Sequence, residues 1–182
     1  MHRKPTKEDL LAARGKNVPD LIGPDLLVLF CGINPGLYSA ATGHHFARPG
    51  NRFWPALYHS GFTTRLMHSW EEHELLDYGY GITNLADRAT NSANEITREE
   101  LLAGREALSE KIKLYRPRVL AILGIGAYRT AFGRPKATIG PQREQLHGTT
   151  IWVLPNPSGL NAHYTPPQLA SVFATLRKSL QG

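Results

Sequence analysis

The chain has 182 residues, of which 41% are apolar and 20% charged; these are values of a folded globular protein rather than a disordered one, and the length suits one domain with a sizeable core. One cysteine excludes an internal disulfide and a Cys-based zinc site, and no apolar run approaches the roughly 20 residues that a membrane-spanning helix needs. The net charge of +6 is uneven: six basic residues and no acidic one fall between Arg116 and Arg143, which suits a phosphate-rich partner or a solvated basic face.

In chain order, MHRKPTKEDL has basic residues with no apolar segment after them, so no secretory signal is expected. The expected compartment is the cytoplasm, with nucleoid association in a bacterium. Thr6 to Gly15 reads as a short amphipathic helix or a loose basic arm, and residues 1–20 are expected to lie outside a single domain spanning 21–182. LLVLFCGI, residues 26–33, is continuously apolar, like a strand covered on both faces. Cys31 lies within it and is expected to be a small buried residue. A long loop is expected from Asn34 to Gly50. NRFWPALYHSG then reads as a helix capped by Asn51, with Pro55 near its first turn.

SWEEHELLDYG reads as a further helix whose Glu71, Glu72, Glu74 and Asp77 form a solvated face. YGITNLA is a short strand. Thr97 and Glu100 form a capping box that opens a long helix; Leu101, Leu108, Ile112 and Tyr115 are its buried stripe, and Pro117 stops it. RVLAILG and TIWVLPN are further apolar strands. TPPQLASVFATLRKSL is the last helix, capped by Thr165, with Pro166 first and Gln168 closing the box. This alternation predicts an α/β fold with an open, largely parallel sheet covered on both faces. Ligands of such sheets sit at the carboxyl ends of the strands. The unusual turns GINPG, NLADR and NPSGL all follow strands.

GINPG packs two glycines and a proline around Asn34, so that a rigid turn presents one amide acceptor and two donors. The same residues also suit a plain Asx turn. NPSGL presents small polar groups with Leu160 at its tip, suited to insertion into a base stack or to folding back into the core. His44 and His45 are adjacent but lack a third metal ligand, and no metal is expected. Phe46, in a glycine-bounded loop, suits a stacking platform or a loop anchor. GIGAYRTAFG follows a strand, but it lacks the third glycine of a dinucleotide fingerprint and the lysine of a phosphate loop.

Taken together and in order, GINPG, GHHFARPGNRFW, GITNLADR and LPNPSGL resemble the mismatch-specific uracil–DNA glycosylases and their thymine–DNA glycosylase relatives. The likeness spans about residues 25 to 180. It implies a three-layer α/β/α sandwich with a short central sheet. It also implies a monofunctional enzyme that flips uracil or thymine out of mismatches in double-stranded DNA and hydrolyses the base–sugar bond, leaving an abasic site. Asn34 matches the family's catalytic asparagine and Phe46 its stacking aromatic. The backbone of Ile33 and Phe46 would read the pyrimidine edge, and Gly36, Ser39, His45 and Asn84 would complete the base pocket. The wedge loop would be Asn156, Pro157, Ser158, Gly159 and Leu160, with Leu160 filling the gap left by the flipped base.

After Leu160 the chain reads NAHY, without the Ser-Arg of a well-known bacterial form, so the contact to the opposite guanine through this loop is not carried over. An amide is a poor base; Asp87 is the nearest carboxylate candidate, with a helix cap or a surface pair with Arg88 as its structural alternative. No cofactor is implied, since water is the nucleophile. A monomer is expected. The competing class is a non-catalytic domain that binds mismatches or abasic sites.

Overall fold

The computed structural model describes residues 2–182. Five strands form one sheet: β1 (Val28–Gly32), β2 (Tyr80–Asn84), β3 (Val119–Leu123), β4 (Gly140–Leu146) and β5 (Thr149–Leu154). Their spatial order is β2-β1-β3-β5-β4. The first four of these are mutually parallel, and β4 runs antiparallel to β5 at the edge. Every residue of β1, β2 and β3 is buried, as strands covered on both faces must be.

The period of two along β1 divides the core. Val28 and Phe30 join one apolar cluster with Phe53, Leu57, Leu75 and Phe173. Leu29 and Cys31 join another with Leu108, Ile112 and Tyr128. The first layer is built by α3 (Phe53–His59), α4 (Leu75–Tyr78) and α7 (Pro166–Ser179), the second by α5 (Arg98–Tyr115) and α6 (Ile125–Ala131). The architecture is therefore α/β, with helices on both faces of a mostly parallel sheet, as the alternation of elements predicts. Both capping boxes form: Thr97 accepts from Glu100 N–H, and Thr165 from Gln168 N–H. Leu101, Leu108 and Ile112 are buried along α5, while Tyr115, expected in the same stripe, is only half-buried at its end. Burial pushes the Cys31 thiol up in pKa, so it is an inert core residue.

Three local expectations are corrected and one strand is new. The stretch from Asn34 to Gly50 is not loop throughout, because α2 (Leu37–Thr42) lies within it. Ser69–Glu74 winds as a 3-10 turn before α4, rather than as one continuous helix. Glu72 is not solvated: it is 5% exposed, and its carboxylate accepts from His45 N–H at 2.8 Å. The edge strand β4 has no counterpart in the sequence reading.

The N-terminal arm carries a helix and is bonded to the rest of the domain. Thr6 caps α1 (Lys7–Ala12) in a box with Asp9. Beyond it, Gly15 N–H donates to the Ala89 carbonyl and Ala89 N–H to the Lys16 carbonyl. This fastens the arm to the segment that follows β2.

Candidate active site

Because β1, β2, β3 and β5 are parallel, their carboxyl ends share one edge of the sheet. The three loops singled out in the sequence leave β1, β2 and β5 at that edge. The loops after β1 and β2 are zipped together: Leu85 N–H donates to the Gly32 carbonyl, Ala86 N–H to Ile33 and Thr90 N–H to Pro35. Gly104 of α5 lies against the Leu85 backbone, where any side chain would collide with the Leu85 carbonyl. That close approach lets α5 buttress the loop.

Asn34 sits in this zipper. Its Nδ2 places two protons among three acceptors, the Arg88 carbonyl at 2.8 Å, Thr90 Oγ1 at 2.8 Å and the Pro35 carbonyl, the longest, at 3.1 Å. Thr90 Oγ1 in turn donates to the Ser92 carbonyl at 2.7 Å, so its own proton is committed and it can only accept from Asn34. Carbonyls cannot donate, so the acceptors fix which end of the amide is nitrogen. Oδ1 has no donor among the described residues. This is not an Asx turn, in which the side-chain oxygen would accept from the backbone: the amide nitrogen is saturated and the oxygen is left for a ligand or a water.

Arg88 extends the zipper outward. Its guanidinium pairs with Glu100 at 2.8 and 3.1 Å and reaches the Glu95 carbonyl. The Arg88 guanidinium and the Thr97 N–H hold the Glu100 carboxyl down to about 2. Asp87 is therefore not the partner of Arg88, nor does it cap a helix. It is exposed and makes no hydrogen bond among the described residues.

Phe46 has φ of +52°, and its ring stacks on Phe53 with centroids 4.2 Å apart and planes at 29°. The residues on either side of it are tied down: His45 N–H goes to Glu72 and Ala47 N–H to Ser39 Oγ at 3.2 Å. The N–H and carbonyl of Phe46 itself, and the N–H of Ile33, have no partner among the described residues. Neither has the side-chain amide of Asn84, which is only 8% exposed. A Cβ added at Gly32 would lie 2.6 Å from Asn84 Oδ1 and 3.3 Å from the Phe46 ring. The Asn84 amide and the Phe46 ring thus converge over a bare glycine, and unpaired donors and acceptors gather beside an aromatic.

The other pocket candidates hold this frame. Ser39 is buried, and its Oγ accepts from the Ala47 N–H. Gly36 begins α2 in extended geometry. The His45 ring donates from Nε2 to the Pro19 carbonyl at 2.8 Å, and the His45 carbonyl accepts from the Trp54 indole. Burial lowers the His45 pKa. His45 is thus an anchor, with its N–H, its carbonyl and Nε2 all spent on the protein.

In the third loop, Asn156 Oδ1 accepts from Ser158 N–H and Ser158 Oγ from Leu160 N–H. Pro157 is buried, and its carbonyl accepts from Arg52 N–H. Leu160 is 77% exposed, the most exposed large apolar side chain described; it does not fold back into the core. Gly159 packs backbone to backbone on Gly50, since a Cβ there would stand 2.5 Å from the Gly50 carbonyl oxygen. Arg52, which the sequence reading passed over, reaches three carbonyls of this loop.

The basic run is not one free surface. Arg134 pairs with Glu144 at 2.7 Å, Arg129 donates to the Ala137 carbonyl and Arg118 to the carbonyls of Leu180 and Gly182. Arg48, on the Phe46 loop, is exposed and has no carboxylate partner among the described residues.

A mostly parallel α/β sheet with an oriented amide, an aromatic ring and an exposed leucine gathered at the carboxyl ends of its strands has these groups where ligands of such sheets sit. A model of the Uracil DNA glycosylase superfamily matches residues 19–177, and the chain belongs to that superfamily. Membership carries the coarse activity with it: hydrolytic glycosylase chemistry on uracil in DNA, a step of DNA repair. Among solved structures, the chain is similar to the solution NMR structure of a proposed uracil DNA glycosylase from Methanosarcina acetivorans. The TM-score is 0.60 at 20% identity, covering 90% of this chain and 98% of that one; at that identity the likeness concerns the fold.

Proposed function

We propose that the protein is a monofunctional, mismatch-specific uracil–DNA glycosylase that flips uracil out of pairs with guanine and hydrolyses its bond to the sugar, with thymine as a second target. The observation that carries this reading is the Asn34 amide, saturated at nitrogen and free at oxygen, beside the unpaired Asn84 amide and the Phe46 ring. A flipped pyrimidine would stack on the face of Phe46 opposite Phe53. Its polar edge would pair with the free N–H groups of Ile33 and Phe46, the Phe46 carbonyl and the Asn84 amide. Leu160 would occupy the vacated place in the stack.

Asn34 Oδ1 would accept a hydrogen bond from water and hold it beneath the sugar, which gains much from orientation alone. Bond cleavage leaves an anionic pyrimidine and an oxocarbenium-like sugar; the held water then bonds to the sugar carbon, and the proton it loses passes to solvent or to the departing base. The backbone N–H groups would stabilise the pyrimidine anion and Asp87, the single carboxylate in the three loops, the sugar cation. Those loops contain no lysine, so none of them supplies an amine for a Schiff base, and the product would be an intact strand with an abasic site. Selectivity for mismatches would follow from the lower cost of extruding a weakly paired base.

The test is single-turnover excision on uracil opposite guanine, uracil opposite adenine, thymine opposite guanine and single-stranded uracil. Fast release from the first, with Asn34→Ala inactive yet still binding DNA, is expected. Equal rates opposite guanine and adenine would remove the mismatch preference. Binding to abasic duplex without release of any base would instead support the non-catalytic alternative.

A further inference from the structure

We propose that Arg52 is a positioning residue that fixes Leu160 relative to the base pocket, so that the stacking loop and the wedge loop act as one rigid unit; this rests on the glycosylase reading above. Arg52 lies between the two aromatic residues that stack on each other, six positions after Phe46 and immediately before Phe53. Its Nη1 donates to the Tyr164 carbonyl at 2.6 Å and the Asn161 carbonyl at 3.3 Å, and its Nη2 to the Gly159 carbonyl at 3.4 Å. These acceptors flank Leu160 on both sides.

The Arg52 main-chain N–H adds a fourth link, to the Pro157 carbonyl at 2.8 Å. The contact of Gly159 with the Gly50 carbonyl leaves no room for the loop to slide inward. The guanidinium reaches these separated carbonyls from two nitrogens held in one plane; a lysine ammonium keeps the charge but donates from a single point.

The consequence is mechanical. Leu160 has almost no contact of its own to hold it, being 77% exposed. Its place is set by the backbone on either side, and that backbone is held from the segment that carries the stacking ring. A fixed offset between wedge and ring means that the leucine enters the stack where the departing base leaves it.

The experiment compares wild type, Arg52→Lys, Leu160→Ala and the double variant. Each is mixed with a uracil–guanine duplex carrying a fluorescent base analogue beside the uracil, and flipping amplitude and single-turnover excision are read together. Arg52→Lys is expected to lower the flipping equilibrium about 10-fold, in line with the loss of charge-assisted hydrogen bonds. The double variant is expected to be no worse than Leu160→Ala alone, because the arginine acts through the leucine. Melting temperature is followed in parallel; a purely structural arginine would lower it and would add its effect to that of Leu160→Ala. Wild-type flipping by Arg52→Lys, multiplying losses in the double variant, or no flipping by wild type would overturn the inference. A wild type that flips but releases no base would sink the glycosylase reading alone, and the coupling would still be decided by the flipping signal.

Discussion

Thr90→Val tests whether the fixed orientation of Asn34 matters. Thr90 is 1% exposed, and valine fills the same volume without the hydroxyl. Two hydrogen bonds disappear: the one Asn34 Nδ2 donates and the one that the Ser92 carbonyl accepts. Ser92 is exposed and can turn to water, while Asn34 keeps the Arg88 and Pro35 carbonyls. The net cost is therefore about 1–2 kcal/mol of stability, at ~1 kcal/mol per bond, or a fall of about 2–8 °C in Tm for a chain of this size. If the amide must point its oxygen at the water, a similar loss in the transition state slows excision roughly 5- to 30-fold. The assay is single-turnover release of uracil from a pair with guanine, with Tm measured on the same samples. Thr90→Ser restores the hydroxyl and should recover both. A lowered Tm with a wild-type rate would show that Asn34 needs no help from Thr90, and that the zipper serves the fold alone.

Asp87→Asn, which removes the charge facing the sugar cation, is expected to slow single-turnover excision about 10- to 1000-fold while leaving Tm unchanged, because the carboxylate is exposed and unbonded; a normal rate would remove it from the chemistry. Arg48→Ala is expected to weaken binding to all duplexes and to reduce the log-log salt slope by about one, whereas Arg134→Ala, already paired with Glu144, should leave the slope alone; the reverse pattern would move the DNA to the other face. The Glu100 carboxyl is depressed from 4.5 to about 2, so its contribution to stability is present above pH 4.5 and lost as pH falls toward about 2. Glu100→Gln should flatten the Tm profile across that window. His45 is held below its usual 6.5 by burial, so the unfolded chain takes up its proton first and Tm should fall as pH drops below about 6.5; an equally steep fall in His45→Gln would assign it to another group.

What the sequence made legible was what is encoded over short distances. The capping boxes at Thr97 and Thr165 span three residues each, and the apolar runs of β1, β3 and β5 need no partner to be seen. Leu160 stands out because an apolar residue ends a run of small polar ones. By contrast, α2 is LYSAAT behind Gly36, with no side-chain cap to announce it. β4 is GPQREQL, an edge strand with only its two end residues buried, and its alternation resembles that of a polar loop. Glu72 looks like its acidic neighbours, and its burial depends on a backbone N–H 27 residues earlier. Thr90 meets Asn34 across 56 positions, and Arg52 meets its carbonyls across 107 to 112. Main-chain carbonyls have no identity in a sequence, so no motif could have named that arginine.

These long-range bonds divide the site into two clamps with different tasks. One joins the loops after β1 and β2 and fixes the Asn34 amide through Arg88, Thr90 and Pro35. The other joins the Phe46 segment to the loop after β5 and fixes Leu160 through Arg52. They meet where the Asn84 amide and the Phe46 ring close over Gly32. Neither clamp contains a carboxylate aimed at the amide, so rate must come from orientation and from charge stabilisation of the sugar and base rather than from a strong base. An enzyme of that kind gains from every fraction of an ångström by which water and sugar are held in line, which is why its amide nitrogen is spent entirely on the protein. It also gains from substrates that leave readily as anions and flip cheaply. A mismatched uracil meets both conditions, and the rigid two-clamp design and the weak chemistry of the asparagine are consistent halves of the same proposal.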